Sequence, residues 1–218
     1  MYSFLIADDH PLFREALMEV ISSSFPGSCL LETADLASTL NTARQEDQLD
    51  LLLLDLKMPG MQGFQGLVEI KQQRPDLPVV MVSAEDSRTA VLEAMQAGAM
   101  GFISKASPRS ELVRALQQLL AGQVYLPPSI NQHVSSPTKA SPPEPSPAIF
   151  EQLTRKQKKV LERMALGESN KQIAWHLNLA ETTVKGHVTG ILAKLGFKNR
   201  VQLALAAQKY FSSQQVVE

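Results

Sequence analysis

Cysteine is almost absent from this chain: Cys29 is the single one in 218 residues. One thiol excludes an internal disulfide framework and any zinc site built on cysteine, and it suits a reducing compartment. Long apolar runs are missing too, and none approaches the roughly 20 residues that a membrane helix needs. The start, Met1-Tyr-Ser-Phe-Leu5, has no basic segment leading into a long apolar one, so no secretory leader is read there. These absences predict a soluble, cytoplasmic protein with no membrane partner. Proline is scarce over most of the chain and gathered in one place, with seven of 13 between Pro127 and Pro147. Interleaved with serine and almost without apolar residues, 127–148 reads as an extended linker. Tyr125-Leu-Pro-Pro128 can pack back on what precedes it, which would start the flexible part near Ser135.

A chain of this length has room for two domains, each with its own core. The net charge is −1, but the signs are segregated. Residues 1–126 carry 9 basic against 16 acidic side chains, and residues 149–218 carry 11 against 5. An acidic front half suits a cation or phosphoryl site, and a basic back half suits a polyanion. The domains are therefore read as 1–126 and 149–218, joined by the linker.

The front half is organised around Asp50-Leu-Leu-Leu-Leu-Asp55-Leu-Lys-Met-Pro-Gly-Met-Gln-Gly63. Leu51 to Leu54 read as a strand buried on both faces, with Asp55 at its carboxyl end and a Pro/Gly loop beyond. Ligands bind at that edge of an open parallel sheet. A carboxylate there stays ionised only beside something cationic. Asp8-Asp9 follow the first apolar run and Lys105 follows a third, so the residues offer a lysine and, through the added acids, a hard divalent ion such as Mg²⁺.

Taken in order, Ser3 to Ala7 is a strand and Pro11 opens a helix to about Ser24, with Leu12, Phe13, Leu17, Val20 and Ile21 as its apolar stripe. Strand Leu30 to Ala34, helix Leu36 to Arg44, the Asp55 strand and helix Phe64 to Gln73 follow. Strand Val79 to Val82 ends at Ser83-Ala84, and helix Arg88 to Ala97 ends at Gly98. A short strand, Gly101 to Ser104, leads to Lys105 and a helix from about Pro108 to Ala121 with Ser107 as N-cap. Five strands alternating with five helices make a doubly wound α/β domain.

Asp8-Asp9, Asp55, Ser83 and Lys105, each at a strand end and in this order, resemble a response-regulator receiver domain. The resemblance implies a flavodoxin-like five-stranded parallel sheet in the order 2-1-3-4-5. It implies that Asp55 accepts a phosphoryl group from a sensor histidine kinase, with Lys105 pairing with the phosphoryl oxygens and Ser83 hydrogen-bonding one of them. Mg²⁺ would be held by Asp9, Asp55 and the Lys57 backbone carbonyl, with Asp8 acting through water. Phe102 stands at the family's aromatic switch position, without a hydroxyl. Lys57 and Glu85 would flank the path of hydrolytic water. Such a protein accepts and slowly loses a phosphoryl group but is not a dedicated enzyme.

The basic half reads as short helices. Thr154 with Gln157 and Ser169 with Gln172 are capping boxes, each ahead of an apolar run. A third helix runs through Thr183, Val184, Val188, Ile191, Leu192 and Leu195, and helix, turn, helix in a basic module reads as DNA binding. Leu153-Thr154, Gly167, Ser169-Asn-Lys171, Ile173-Ala174, Thr183-Val-Lys185, His187-Val188, Lys194-Leu195 and Asn199-Arg200 resemble the helix-turn-helix domain of the NarL, FixJ and LuxR regulators. The resemblance puts Lys185, Gly186 and Thr189 toward the groove of double-stranded DNA and Lys171, Thr182, Thr183, Lys194 and Asn199 near phosphates. Phosphate contacts would supply most affinity and a steep salt dependence, base edges the selectivity. Gly186 and Gly190 leave Lys185 as the one charged base reader, which favours backbone or shape readout. Ala180 stands where many relatives carry a capping Ser. His187 reads as a structural histidine and Trp175 as surface. A last helix, Arg200 to Phe211, offers Leu203, Leu205 and Ala206 to a homodimer contact, and the family dimerises there.

The reading is a phosphorylation-controlled transcriptional regulator of a two-component system, dimerising on a two-fold operator when activated. One alternative is a regulator whose receiver is vestigial and ignores phosphate. Another is an aspartyl-phosphate hydrolase of the haloacid-dehalogenase type, which needs a second Asp two residues after the first, where this chain has Lys57. Ser104-Lys-Ala-Ser-Pro-Arg-Ser110 and Gly167-Glu-Ser-Asn-Lys-Gln172 resemble regulators associated with acetate and alcohol utilisation in Gram-negative bacteria.

Overall fold

The computed structural model describes residues 2–131, 147–197 and 200–214; most of the expected linker, and Asn199, lie outside them. Five strands, β1 (Ser3–Ala7), β2 (Cys29–Thr33), β3 (Leu51–Asp55), β4 (Val79–Ser83) and β5 (Gly101–Ser104), alternate with α1 (Pro11–Ser24), α2 (Leu36–Gln45), α3 (Gln65–Gln73), α4 (Arg88–Ala97) and α5 (Arg109–Leu120). All pairings are parallel, and the order is β2-β1-β3-β4-β5. Asp55 pairs with Val82 and Ser83 with Ser104, so the chain leaves β1, β3, β4 and β5 at one carboxyl edge.

Alternation along the strands splits the core into two layers. Leu5, Ala7, Leu52, Leu54, Val79, Met81 and Phe102 face α2, α3 and α4, whereas Phe4, Ile6, Leu51, Leu53, Val80, Val82 and Ile103 face α1 and α5. Helices on both faces leave β3 and β4 buried at every position, which is why they read as unbroken apolar runs. Gly98, with φ 111°, closes α4 as a left-handed cap.

Two local expectations fail. Leu12 is 82 % exposed. At 100° per residue it lies about 140° around α1 from Leu17 and so falls outside the buried stripe. Ser107 does not cap α5; its N–H closes a turn onto the Ser104 carbonyl, and Pro108 holds the N-cap position without a side-chain bond.

After α5 the chain returns to the sheet. Tyr125 forms a parallel bridge with Gly101, and the short helix α6 (Pro128–Asn131) seats Ile130 in the layer that holds Phe102. The back half begins with a 3-10 turn, Pro147–Gln152, followed by α7 (Arg155–Ala165), α8 (Asn170–Leu177), α9 (Glu181–Leu195) and α10 (Arg200–Gln214). Both capping boxes are complete, Thr154 with Gln157 and Ser169 with Gln172. Each such N-cap is worth about 1 kcal/mol relative to Ala. Asn178, with φ 52°, makes the turn between α8 and α9. Ala180 begins α9 with no side-chain cap. Leu203 is fully buried, because α10 packs on α7 and stacks Tyr210 on Phe150 at 4.4 Å, so this leucine is not available to a dimer; Leu205 is exposed.

Candidate functional site

At the carboxyl edge the ends of β1, β3 and β5 bring Asp8, Asp55 and Lys105 together. Lys105 Nζ lies 2.7 Å from Asp8 Oδ2 and 2.9 Å from Asp55 Oδ2. Both carboxylates are 2 % exposed. Burial pushes the Lys105 ammonium down, but its close contacts with the Asp8 and Asp55 carboxylates and their charges outweigh it, and the net displacement is upward. The amine therefore stays a cation throughout the physiological range. Phe13, from the first turn of α1, lies under it with the ring centroid 4.8 Å from Nζ.

Asp9 joins through His10, a residue that the sequence reading passed over. His10 Nδ1 is 2.7 Å from Asp9 Oδ1, 3.1 Å from Asp8 Oδ1 and 4.0 Å from Asp55 Oδ2. Asp8, Asp9, His10 and Asp55 each offer one ligand atom, all within 4.8 Å of one another. Asp8 Oδ2 and Asp9 Oδ1 are buried and accept no hydrogen bond, since the short contacts of Lys105 and His10 lie off the hydrogen-bond direction. Buried carboxylate oxygens left without donors are what a hard divalent cation satisfies, so the oxygen set fits Mg²⁺.

Ser83 is buried at the end of β4, and its Oγ accepts from the Glu85 N–H at 3.1 Å. The Lys105 N–H donates to the Ser83 carbonyl at 2.8 Å, so Ser83 and Lys105 are held at adjacent strand ends. Phe102 is fully buried, its ring turned into the sheet layer under α4. Lys57 and Glu85 pair at 3.3 Å over the rim, both side chains largely exposed. Such a pair contributes about 0 to 1 kcal/mol.

The basic module docks on the opposite, amino edge of the same sheet. Lys185 of α9, only 8 % exposed, donates from Nζ to the Asp47 carbonyl at 3.1 Å and the Leu49 carbonyl at 3.2 Å, and pairs with Glu181 at 3.3 Å. Lys171 of α8 meets Asp50 Oδ2 at 2.7 Å and lies over the Tyr2 ring at 4.2 Å. Arg200 is 7 % exposed and donates to Asn170 Oδ1 at 2.6 Å and to the Glu168 carbonyl, and burial pushes its guanidinium down to about 10. Gly122, just past α5 with φ +86°, lets the two backbones meet; a Cβ there would stand 2.4 Å from the Gly167 carbonyl oxygen.

Of the residues expected to meet DNA, Lys185 and Lys171 are thus engaged with the front domain. Thr182, Thr183 and Gly186 are exposed, Thr189 is half-buried, and the exposed Lys194 reaches Gln157 Oε1 at 3.1 Å. His187 is half-buried and Trp175 is 79 % exposed. Among the described residues no helix is long and apolar enough to cross a membrane.

Comparison with known proteins agrees with both halves. Residues 4–117 match the response regulator receiver domain, and residues 151–207 match the bacterial regulatory proteins of the luxR family. The chain is 54 % identical over 210 residues to a glycerol metabolism activator of Pseudomonas putida, covering 95 % of each. A LuxR-family two-component response regulator from Aurantimonas superposes with a TM-score of 0.56 at 30 % identity, over 60 % of this chain and 92 % of that one. The RcsB response regulator of Salmonella typhimurium shares the fold over 97 % of this chain and 98 % of its own, with a TM-score of 0.57 at 22 % identity. With a receiver at its front and a luxR-family DNA-binding domain at its back, the chain belongs to the two-component response regulators that act as transcription factors.

Proposed function

We propose that Asp55 is the phosphoryl acceptor and that its modification releases the DNA-binding domain from the receiver. The observation that carries this reading is the pairing of two buried carboxylates, Asp8 and Asp55, with one lysine at a sheet edge, while the lysine expected to read bases is buried at the other. A sensor histidine kinase is the phosphoryl source. Asp8, Asp9, Asp55 and the Lys57 carbonyl would hold Mg²⁺, which supplies charge neutralisation at the acceptor oxygens. Lys105 pairs with the incoming phosphoryl oxygens, and Ser83 turns its hydroxyl from the Glu85 N–H toward one of them. Phe102 follows Ser83, and the change spreads through the α4 and α5 faces of the receiver.

In the resting arrangement Lys185 and Lys171 cannot serve the receiver and a duplex at once. Once freed, Lys185, Gly186 and Thr189 face the major groove, and Lys171, Thr182, Thr183, Lys194 and Asn199 meet phosphates. Two copies then bind a two-fold operator. The similarity to a glycerol metabolism activator supports the metabolism of a small alcohol as the controlled process.

The test compares wild type with Asp55→Asn on DNA selected from a random pool, with and without a small phosphodonor. The expected outcome is labelling of the wild type alone, with a rise in its DNA affinity that the variant lacks. Equal affinity and equal oligomeric state in all four samples would remove phosphorylation from the account.

A further inference from the structure

β5 is the last strand of the sheet, and an edge strand ordinarily turns its free N–H groups to solvent. Here it does not. The Phe102 N–H donates to the Tyr125 carbonyl at 2.9 Å, beside the parallel bridge between Tyr125 and Gly101. Gly101 is what admits that carbonyl, since a Cβ at this position would stand 2.7 Å from the Tyr125 oxygen and 2.9 Å from Leu119 Cδ2.

Tyr125 is 3 % exposed and is itself held. Its hydroxyl donates to Glu111 Oε1 of α5 at 2.6 Å. Burial, then the Glu111 carboxylate, push the phenol up to about 12, so it remains a donor at any physiological pH. Just beyond it, Leu126 and Ile130 pack into the layer that contains the Phe102 ring, Val91 and Ala94. Phe102 is thus bonded through its backbone to Tyr125, and its ring shares a core layer with Leu126 and Ile130 of the same segment.

We propose that Tyr125 is a positioning residue for the switch: its carbonyl fixes the Phe102 backbone, its hydroxyl anchors that hold to α5, and displacement of Phe102 passes directly into residues 125–131. That segment is the chain's exit from the receiver, so the signal leaves through a covalent connection as well as through the docked surface. This inference rests on Phe102 being the switch of the function proposed above.

The experiment uses the full chain as wild type, Tyr125→Phe and Gly101→Ala. In the first arm amide exchange at Phe102 is followed without phosphodonor, and both variants are expected to exchange at least tenfold faster than wild type. Unchanged exchange overturns the hold. In the second arm the ratio of DNA affinities with and without phosphodonor is measured alongside labelling of Asp55. Tyr125→Phe is expected to lower that ratio at least fivefold while Asp55 labels within twofold of wild type. A lower melting temperature with an intact ratio would reduce Tyr125 to an ordinary structural residue and sink the proposal. If phosphodonor leaves the affinity of the wild type itself unchanged, the phosphorylation reading has failed, and the first arm still decides the Tyr125 hold.

Discussion

Asp50 and Asp55 bracket a single strand: the first immediately precedes β3 and takes Lys171 of the DNA-binding domain at 2.7 Å, and the second ends β3 and takes Lys105 of the receiver at 2.9 Å. At about 3.3 Å of rise per residue the two ion pairs stand on the order of 15 Å apart. Asp55 and the docked module therefore occupy opposite edges of one sheet. Among the described residues no direct contact links them, so an influence of one on the other would travel through the receiver's packed layers or along its chain.

The crowding of carboxylates yields a stability prediction. Without a divalent ion, Asp8, Asp9 and Asp55 share one lysine and one histidine, so Asp9→Asn should raise stability by about 1 kcal/mol, or roughly 3 °C in melting temperature. Mg²⁺ at a hundredfold excess over Kd should stabilise wild type by about 2.7 kcal/mol and the variant by far less. Calorimetry with and without Mg²⁺ reads both effects. A wild-type melt indifferent to Mg²⁺ would take the ion out of the site.

The docked state can be opened from the receiver alone. Gly122→Ala places a Cβ against the Gly167 carbonyl, and Asp50→Ala removes the acid that holds Lys171. Neither residue lies on the DNA-binding domain. Each should raise the DNA affinity of the unphosphorylated protein about tenfold, which is about 1.4 kcal/mol of docking lost. Fluorescence anisotropy measures the affinity. Weaker binding, or none, by both variants would mean that docking does not restrain the module.

Gly186 separates helix stability from DNA contact. A Cβ there meets nothing within 4 Å, so Gly186→Ala should stabilise the helix by about 1 kcal/mol. If the duplex backbone approaches α9 closely at that point, the same change should weaken DNA binding about tenfold. Denaturant melts and binding isotherms should then move in opposite senses. Parallel improvement in both would show that no close approach occurs there.

A fourth prediction concerns alkaline stability. Lys71 is buried with Nζ donating to the Pro75 carbonyl at 3.0 Å and the Leu77 carbonyl at 2.7 Å. Burial, opposed by Asp76 and reinforced by Arg200 and Arg74, lowers its pKa to about 8. An unfolded lysine titrates near about 10.4, so between the two values the unfolded chain keeps a proton that the folded one has released. Stability from this group consequently rises with pH across that window, and the penalty is complete below it. Relative to Lys71→Met, wild type should gain about 2 to 3 kcal/mol between about pH 7.5 and about pH 10.5. Urea denaturation at both pH values checks it, and a constant difference would place the ammonium in water.

Much of this molecule was legible because its signals are periodic. The unbroken run Leu51 to Leu54 predicts a strand covered on both faces, and the spacings Thr154 to Gln157 and Ser169 to Gln172 predict two helix starts that the structure completes. Leu12 misled because apolar character was counted without its angle around α1. Leu203 misled because α10 carries apolar residues around much of its circumference, and only the fold decides which side is covered. His10 carries no periodic signal and stays largely exposed, and only the convergence of β1 and β3 brings its ring near three carboxylates. Docking was illegible for a different reason. Lys171 and Lys185 carry the same chemical mark whether they meet a polyanion or a protein edge, and two of the acceptors are backbone carbonyls, which leave no trace in a sequence.

Those carbonyls constrain what genetics can find. Asp47 and Leu49 offer Lys185 main-chain oxygens that every amino acid retains, so changing either side chain leaves the acceptor in place. Constitutive alleles should instead collect at Asp50, at Gly122 and on the lysines themselves, and if the lysines serve DNA as proposed, few of their alleles would survive a selection for gain of function. A docking surface anchored in the main chain resists mutational drift and leaves the receiver's side chains there free to vary.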